Sequence, residues 1–213
     1  SKLKSVSKEN YQYSMPKKRR TSAEIVQLID KATEEIVREK GFGGLTIQEV
    51  CERAEIEPPL FYRRYPEGFA FYVEIFIRNH DFWISHYEHF SVEELSRSAA
   101  ELTDIMLSLW RQIAEDGMLS SLLRLELQDK PSEAAVEIAK AREVQTADLV
   151  DFFTEGAESP NSTRIQLAIL TACVQYLALH KDVSTFCCID FSSISEQEMV
   201  AALTEISKSI LKR

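Results

Sequence analysis

The chain has 213 residues, 45% hydrophobic and 28% charged, with a net charge of −9. This composition fits a water-soluble globular protein with a sizeable core, and no apolar run reaches the length of a membrane span. With only 6 Gly and 6 Pro, long helices are expected rather than strands and turns, and the absence of a signal-peptide pattern predicts a cytoplasmic protein.

The 4 Cys (Cys51, Cys173, Cys187, Cys188) lack metal-ligand spacing and fit reduced thiols. The charge is unevenly spread: residues 1–66 hold 13 Lys+Arg against 10 Asp+Glu, and the remainder 12 against 24. A basic head on an acidic body suits a protein that meets phosphate with one end only. Residues 1–20 are polar and aperiodic and end in Lys17-Lys18-Arg19-Arg20, which predicts a flexible basic arm. Taken alone, that cluster reads equally well as a solvated charge run.

A first helix is expected over 21–40. Ile25, Leu28, Ile29, Ala32, Ile36 and Val37 form its buried face, and Gly41 closes it in a left-handed cap. From 45 to 66 the chain reads LTIQEVCERAEIEPPLFYRRYP, two short helices around a tight turn. Thr46 is placed to cap the first, with Glu49 at the capping-box position. Ile47, Val50, Cys51 and Ala54 face inward, and Ile56 plugs the turn. Pro58 suits a first helical position, and Pro66 stops the second helix. Two such helices make a helix-turn-helix, whose second helix enters the DNA major groove.

Thr46, Ile47, Val50, Arg53-Ala54, Ile56, Phe61-Tyr62 and Tyr65-Pro66 together resemble the DNA-binding domain of the tetracycline-repressor (TetR) family. The resemblance implies an all-α homodimer. A three-helix head (21–67) would bind double-stranded DNA, and a helical body (68–213) would dimerise and hold a small-molecule effector. It also implies a phosphate contact for Tyr62 and core roles for Phe61 and Tyr65. Candidate DNA contacts are Lys17, Lys18, Arg19, Arg20, Thr46, Tyr62, Arg63 and Arg64, since Arg suits guanine edges and phosphates and Tyr phosphates. Three features depart from the family pattern. Glu55 stands where Gly is usual, Glu57-Pro58-Pro59 replaces a hydroxyl cap followed by a basic residue and Gly, and Gly68 replaces a frequent Lys. They add negative charge and remove backbone donors near phosphate. An alternative is therefore a TetR-like scaffold with a degenerate helix-turn-helix that binds ligand or protein without an operator.

The run from Phe69 to about residue 90 is apolar on two faces and predicts a lever helix buried between head and body. Its His80, His86 and His89 fall short of the convergent ligands a zinc site needs. Ser91 with Glu94 predicts the start of a helix that Gly117 ends. Further helices are expected over 118–128, 132–155, 162–180 and 195–213, the last opened by Ser195 with Glu198. The two final helices are expected to form the dimer interface. Trp83, Tyr87, Trp110, Phe152 and Phe153 are the candidate walls of an aromatic cavity for an apolar or aromatic effector, or else ordinary core. No catalytic constellation or cofactor signature is present, so an enzyme is not expected. Vicinal Cys187-Cys188 could sense redox state or be plain thiols.

Overall fold

The computed structural model describes residues 20–80 and 92–212. Among these every regular element is helical, apart from one isolated bridge between Phe186 and Ile189. Helix α1 (Ser22–Lys40) opens with a complete capping box between Thr21 and Glu24, and the N–H of Gly41 (φ 71°) returns to the Val37 carbonyl at 2.8 Å. Helices α2 (Ile47–Ala54) and α3 (Pro58–Arg64) follow, and α4 (Phe69–Asn79) lies across them. The body comprises α5 (Ala99–Glu115), α6 (Gly117–Glu126), α7 (Glu133–Thr154), α8 (Pro160–His180) and α9 (Glu196–Ile210). Ser195 and Glu198 form the expected reciprocal box at the start of α9.

Three boundaries differ from expectation. Helix α4 stops at Asn79, with His80 extended (φ −89°, ψ 131°). Asn79-His80-Asp81 is a run of weak helix formers that interrupts the apolar pattern. The rest of the expected lever, with Trp83, Tyr87, His86 and His89, lies outside the described residues. Helix α5 begins at Ala99 rather than after Ser91, and Glu94 falls in a single 3-10 turn, Val92–Glu94. A second Ser-x-x-Glu signal wins: the Ser98 hydroxyl accepts from the Glu101 N–H at 3.1 Å. Gly117 ends no helix; it starts α6, capped by Asp116, whose carboxylate accepts from Met118 N at 2.9 Å and Leu119 N at 3.3 Å. Its missing side chain has another cause. A Cβ there would stand 2.9 Å from the Arg38 carbonyl oxygen, so only Gly lets α6 meet the end of α1.

That contact joins the first helix to the later ones. Around it Arg38 Nη1 pairs with Asp116 Oδ1 at 3.1 Å, and the Ser121 hydroxyl donates to the Val37 carbonyl at 3.4 Å. A further contact joins α4 to α7, where the Glu74 carboxylate accepts from the Ala134 N–H at 2.8 Å. Arg78 makes a two-pronged pair with Glu137 at 2.8 and 3.1 Å.

Where α3 meets α4, Phe61 and Tyr72 are fully buried and meet edge to face at 5.3 Å, with Tyr65 and Phe69 around them. The Tyr72 hydroxyl lies 2.7 Å from Thr33 Oγ1 and donates to Asp30 Oδ1 at 3.0 Å. Burial pushes the Asp30 carboxyl above the usual range, against the opposing pull of the Tyr72 hydrogen bond and nearby His80. A raised native pKa favours folding when the group is protonated, so this contribution is lost as pH rises through the folded value. Asp30→Asn keeps an oxygen for Tyr72 and removes the charge. We therefore expect a higher Tm at neutral pH, with the gain shrinking as the pH approaches about 4. Calorimetry at the two pH values checks it, and an equal gain at both would contradict the charge argument.

Candidate nucleic-acid interface

Helix α2 is set by the Thr46 hydroxyl, which accepts from the Glu49 N–H at 3.2 Å. The expected box is only half made: the Glu49 carboxylate turns to Lys40 and lies 3.8 Å from Arg53. Arg53 itself is held by a two-pronged pair with Glu39 at 2.7 and 2.9 Å, which draws the Glu39 carboxyl below its ordinary range. Two of the head's cations thus tie α2 to α1.

The turn passes through Glu55 in the left-handed region (φ 52°, ψ 48°), a conformation that favours Gly. Arg20 steadies it: its guanidinium donates to the Ala54 and Glu55 carbonyls at 3.3 and 2.8 Å and pairs with the Glu55 carboxylate at 3.3 Å. An Arg bonding the last carbonyls of a helix is an ordinary cap. The contact spans 34 positions and leaves no local sequence signal.

Helix α3 has Glu57 at its N-cap with no side-chain cap bond, then Pro58 and Pro59 at its first two positions. Neither proline has an N–H, and the Leu60 N–H is spent on the Glu57 carbonyl at 2.9 Å. The first turn therefore offers no backbone donor to a phosphate, unlike an open helix N-terminus. Any phosphate or base contact by α3 would have to come from side chains further along.

Phe61 and Tyr65 point into the core, while Tyr62, Arg63 and Arg64 are exposed. Tyr62 is 48% exposed and rests edge-on against Phe61 at 5.8 Å, leaving its hydroxyl to solvent. Arg63 makes no side-chain hydrogen bond or ion pair among the described residues. Arg64 lies over the Tyr65 ring at 5.8 Å and lines a groove of about 510 Å³ with Asp30, Glu34, Phe76 and His80, on the flank between α1 and α4. The structure thus separates the expected contacts. Tyr62 and Arg63 face outward, Arg64 leans to the flank, Thr46 and Arg20 serve as caps, and Lys17, Lys18 and Arg19 lie outside the described residues.

The expected effector aromatics also divide. Trp110 packs on Phe191 at 6.0 Å, and Phe152 on Phe153 at 5.2 Å. Among the described residues no ring contact joins the two pairs. Phe152 is further covered by the Arg97 guanidinium, 4.7 Å above its ring, which also donates to the Phe152 carbonyl at 2.6 Å. Phe191 had no periodic signal, since it follows a turn. No cluster of three or more metal-binding side chains occurs among the described residues, and none of their helices is long and apolar enough to cross a membrane.

Residues 29–67 match the family of bacterial regulatory proteins described as tetR, over α2 and α3 with most of α1. No curated protein and no solved structure matches the chain.

Proposed function

We propose that this chain, whose residues 29–67 match the tetR family of bacterial regulatory proteins, is a homodimeric, effector-controlled repressor. The observation that carries the reading is an α3 with two opposite faces, Phe61 and Tyr65 buried and Tyr62 and Arg63 turned to solvent, in a head of that family. Tyr62 contacts phosphate and Arg63 a base edge or phosphate in the major groove. The domains divide at about residue 67, and the body holds an apolar or aromatic effector beside the Trp110 and Phe152-Phe153 rings.

A second copy is the proposed occupant of the outer faces of α8 and α9. Ile165, Ile169 and Tyr176, one and then two helical turns apart, are 54%, 58% and 46% exposed, and Ile206 on α9 is 46% exposed. Ala168, Ala172 and Ala202 between them are exposed as well, so a partner backbone meets a low surface. Pairing two heads is also what a short α3 needs, with half-sites roughly 34 Å apart. Light scattering should give a dimer for the parent and a monomer for Ile169→Asp combined with Ile206→Asp. A monomeric parent would refute the interface.

The donor-free first turn of α3 and the exposed Glu55 and Glu57 favour a second reading, a regulator-like scaffold that binds no operator. Selection on random duplexes at low salt separates the two. Enrichment of a two-fold site supports the repressor, and no enrichment supports the scaffold.

A further inference from the structure

Between α8 and α9 the chain makes a two-residue hairpin that neither the core nor the head explains. Phe186 N–H donates to the Ile189 carbonyl at 2.9 Å, and Ile189 N–H to the Phe186 carbonyl at 3.0 Å. The two residues at its tip are Cys187 (φ 51°) and Cys188 (φ 65°). Positive φ at both centres is the geometry of a type I′ turn, which favours Asn-Gly or Gly-Gly. Cysteine has no side-chain bond that eases this conformation, so turn chemistry does not account for the pair. Burial does not account for it either: both thiols are free and exposed, whereas free cysteine is among the most buried residue types.

The tip stands on a firm base. Phe186 packs on Tyr176 at 5.3 Å and on His180 at 5.9 Å, and those two rings stack at 5.3 Å on α8. Beyond the hairpin, the Asp190 carboxylate accepts from the Ser192 N–H at 3.0 Å and from the Ser192 and Ser193 hydroxyls at 2.6 and 3.1 Å. Two thiols are thereby carried on adjacent Cα atoms, about 3.8 Å apart, in one fixed turn. Among the described residues no group of three or more metal-binding side chains includes them. The site therefore offers two soft sulfurs and no third donor. Four-coordinate zinc is unsuited to that set. A thiophilic centre satisfied by two sulfurs is suited to it.

We propose that Cys187 and Cys188 form a vicinal dithiol site that chelates trivalent organoarsenicals and like two-thiol-seeking metalloids. With phenylarsine oxide as probe, the arsenic–oxygen bond is exchanged for two arsenic–sulfur bonds. Both thiol protons leave on the oxygen as water, and arsenic stays trivalent. The second sulfur bond closes within the turn, so its effective concentration is high, and release to a competing monothiol is slowed roughly 100-fold relative to a single-cysteine adduct.

The test is intact-mass spectrometry of the reduced full chain after treatment with one equivalent of phenylarsine oxide, followed by challenge with excess monothiol or a 1,2-dithiol. One arsenical per chain should survive the monothiol and be stripped by the dithiol. Cys187→Ser and Cys188→Ser should each reduce retention to that of a monothiol adduct, and Cys173→Ser should leave it unchanged. The proposal is overturned if either tip variant retains arsenic like the parent, or if the parent loses it as fast as the tip variants. Retention that depends on Cys173, or that rises with protein concentration as bridging of two chains would, also overturns it. Because both thiols are exposed, serine at the tip leaves the core intact, and an unchanged Tm for each variant confirms that the folded chain was tested.

Discussion

Phe61→Ala should destabilise the head by roughly 3–5 kcal/mol, the usual cost of emptying a fully buried aromatic position. Phe61 has no exposed surface and meets Tyr65, Tyr72, Tyr62 and Phe69 at 5.2, 5.3, 5.8 and 5.9 Å, so its loss leaves a cavity bordered by these rings. Whole domains are stable by only about 5–15 kcal/mol, so this one change should unfold the head or bring it close to unfolding. Denaturant midpoints followed by helical signal measure it, and DNA binding should vanish at any salt concentration. Its neighbour gives the contrast. Tyr62→Phe removes only a solvent-facing hydroxyl, and its stability should stay within about 0.5 kcal/mol of the parent. A Phe61→Ala chain as stable as Tyr62→Phe would mean that α3 is not seated on this core.

The second large effect concerns recognition. Arg63→Ala should weaken binding to a selected duplex by about 1–3 kcal/mol, a factor of roughly 5 to 150, and relax the sequence preference at one base position. Arg64→Ala should cost less, because its guanidinium already lies over Tyr65 at 5.8 Å on the flank of the head. Glu57→Ser should act with the opposite sign. It removes an exposed carboxylate beside the phosphates and supplies a hydroxyl at a cap that now lacks one. Affinity for every duplex should rise alike, since a charge near phosphate carries no base code. Titrations at several salt concentrations separate the terms, because each phosphate contact adds about 0.9 to the salt slope. Equal losses for Arg63→Ala and Arg64→Ala would show that α3 docks by its flank instead.

Local chemistry was legible in proportion to how local it is. Ser195 with Glu198 acts within four residues and forms as its spacing predicts. Gly41 ends the first helix as expected, but with ψ 176° rather than in the left-handed cap. The apolar stripe Ile29, Ala32, Ile36 and Val37 likewise found the core. Where two signals competed, the pattern could not choose: Ser91 and Ser98 each precede a Glu by three, and α5 starts after Ser98. Gly117 looked like a helix end because its real constraint, the Arg38 carbonyl, is 79 positions away in the chain. The same limit applies to Arg20, whose partners are the end of α2. The candidate interface was legible as a cluster on α3. Its division into outward Tyr62 and Arg63 and flanking Arg64 depends on the helix's rotation over the core, which a seven-residue segment barely encodes.

The contacts that α1 and α4 make with later helices obey different physics, and salt reaches them unequally. At Gly117 the backbones of α1 and α6 already touch, so the contact has no slack and behaves as a bearing. At α4 the link is the packing of that helix on α7, together with the Arg78–Glu137 pair, which salt screens, and the Glu74 carboxylate on the α7 end. Raising the salt concentration should therefore weaken the charged part of the α4–α7 contact and leave the α1–α6 contact, which is made by backbone, as it is.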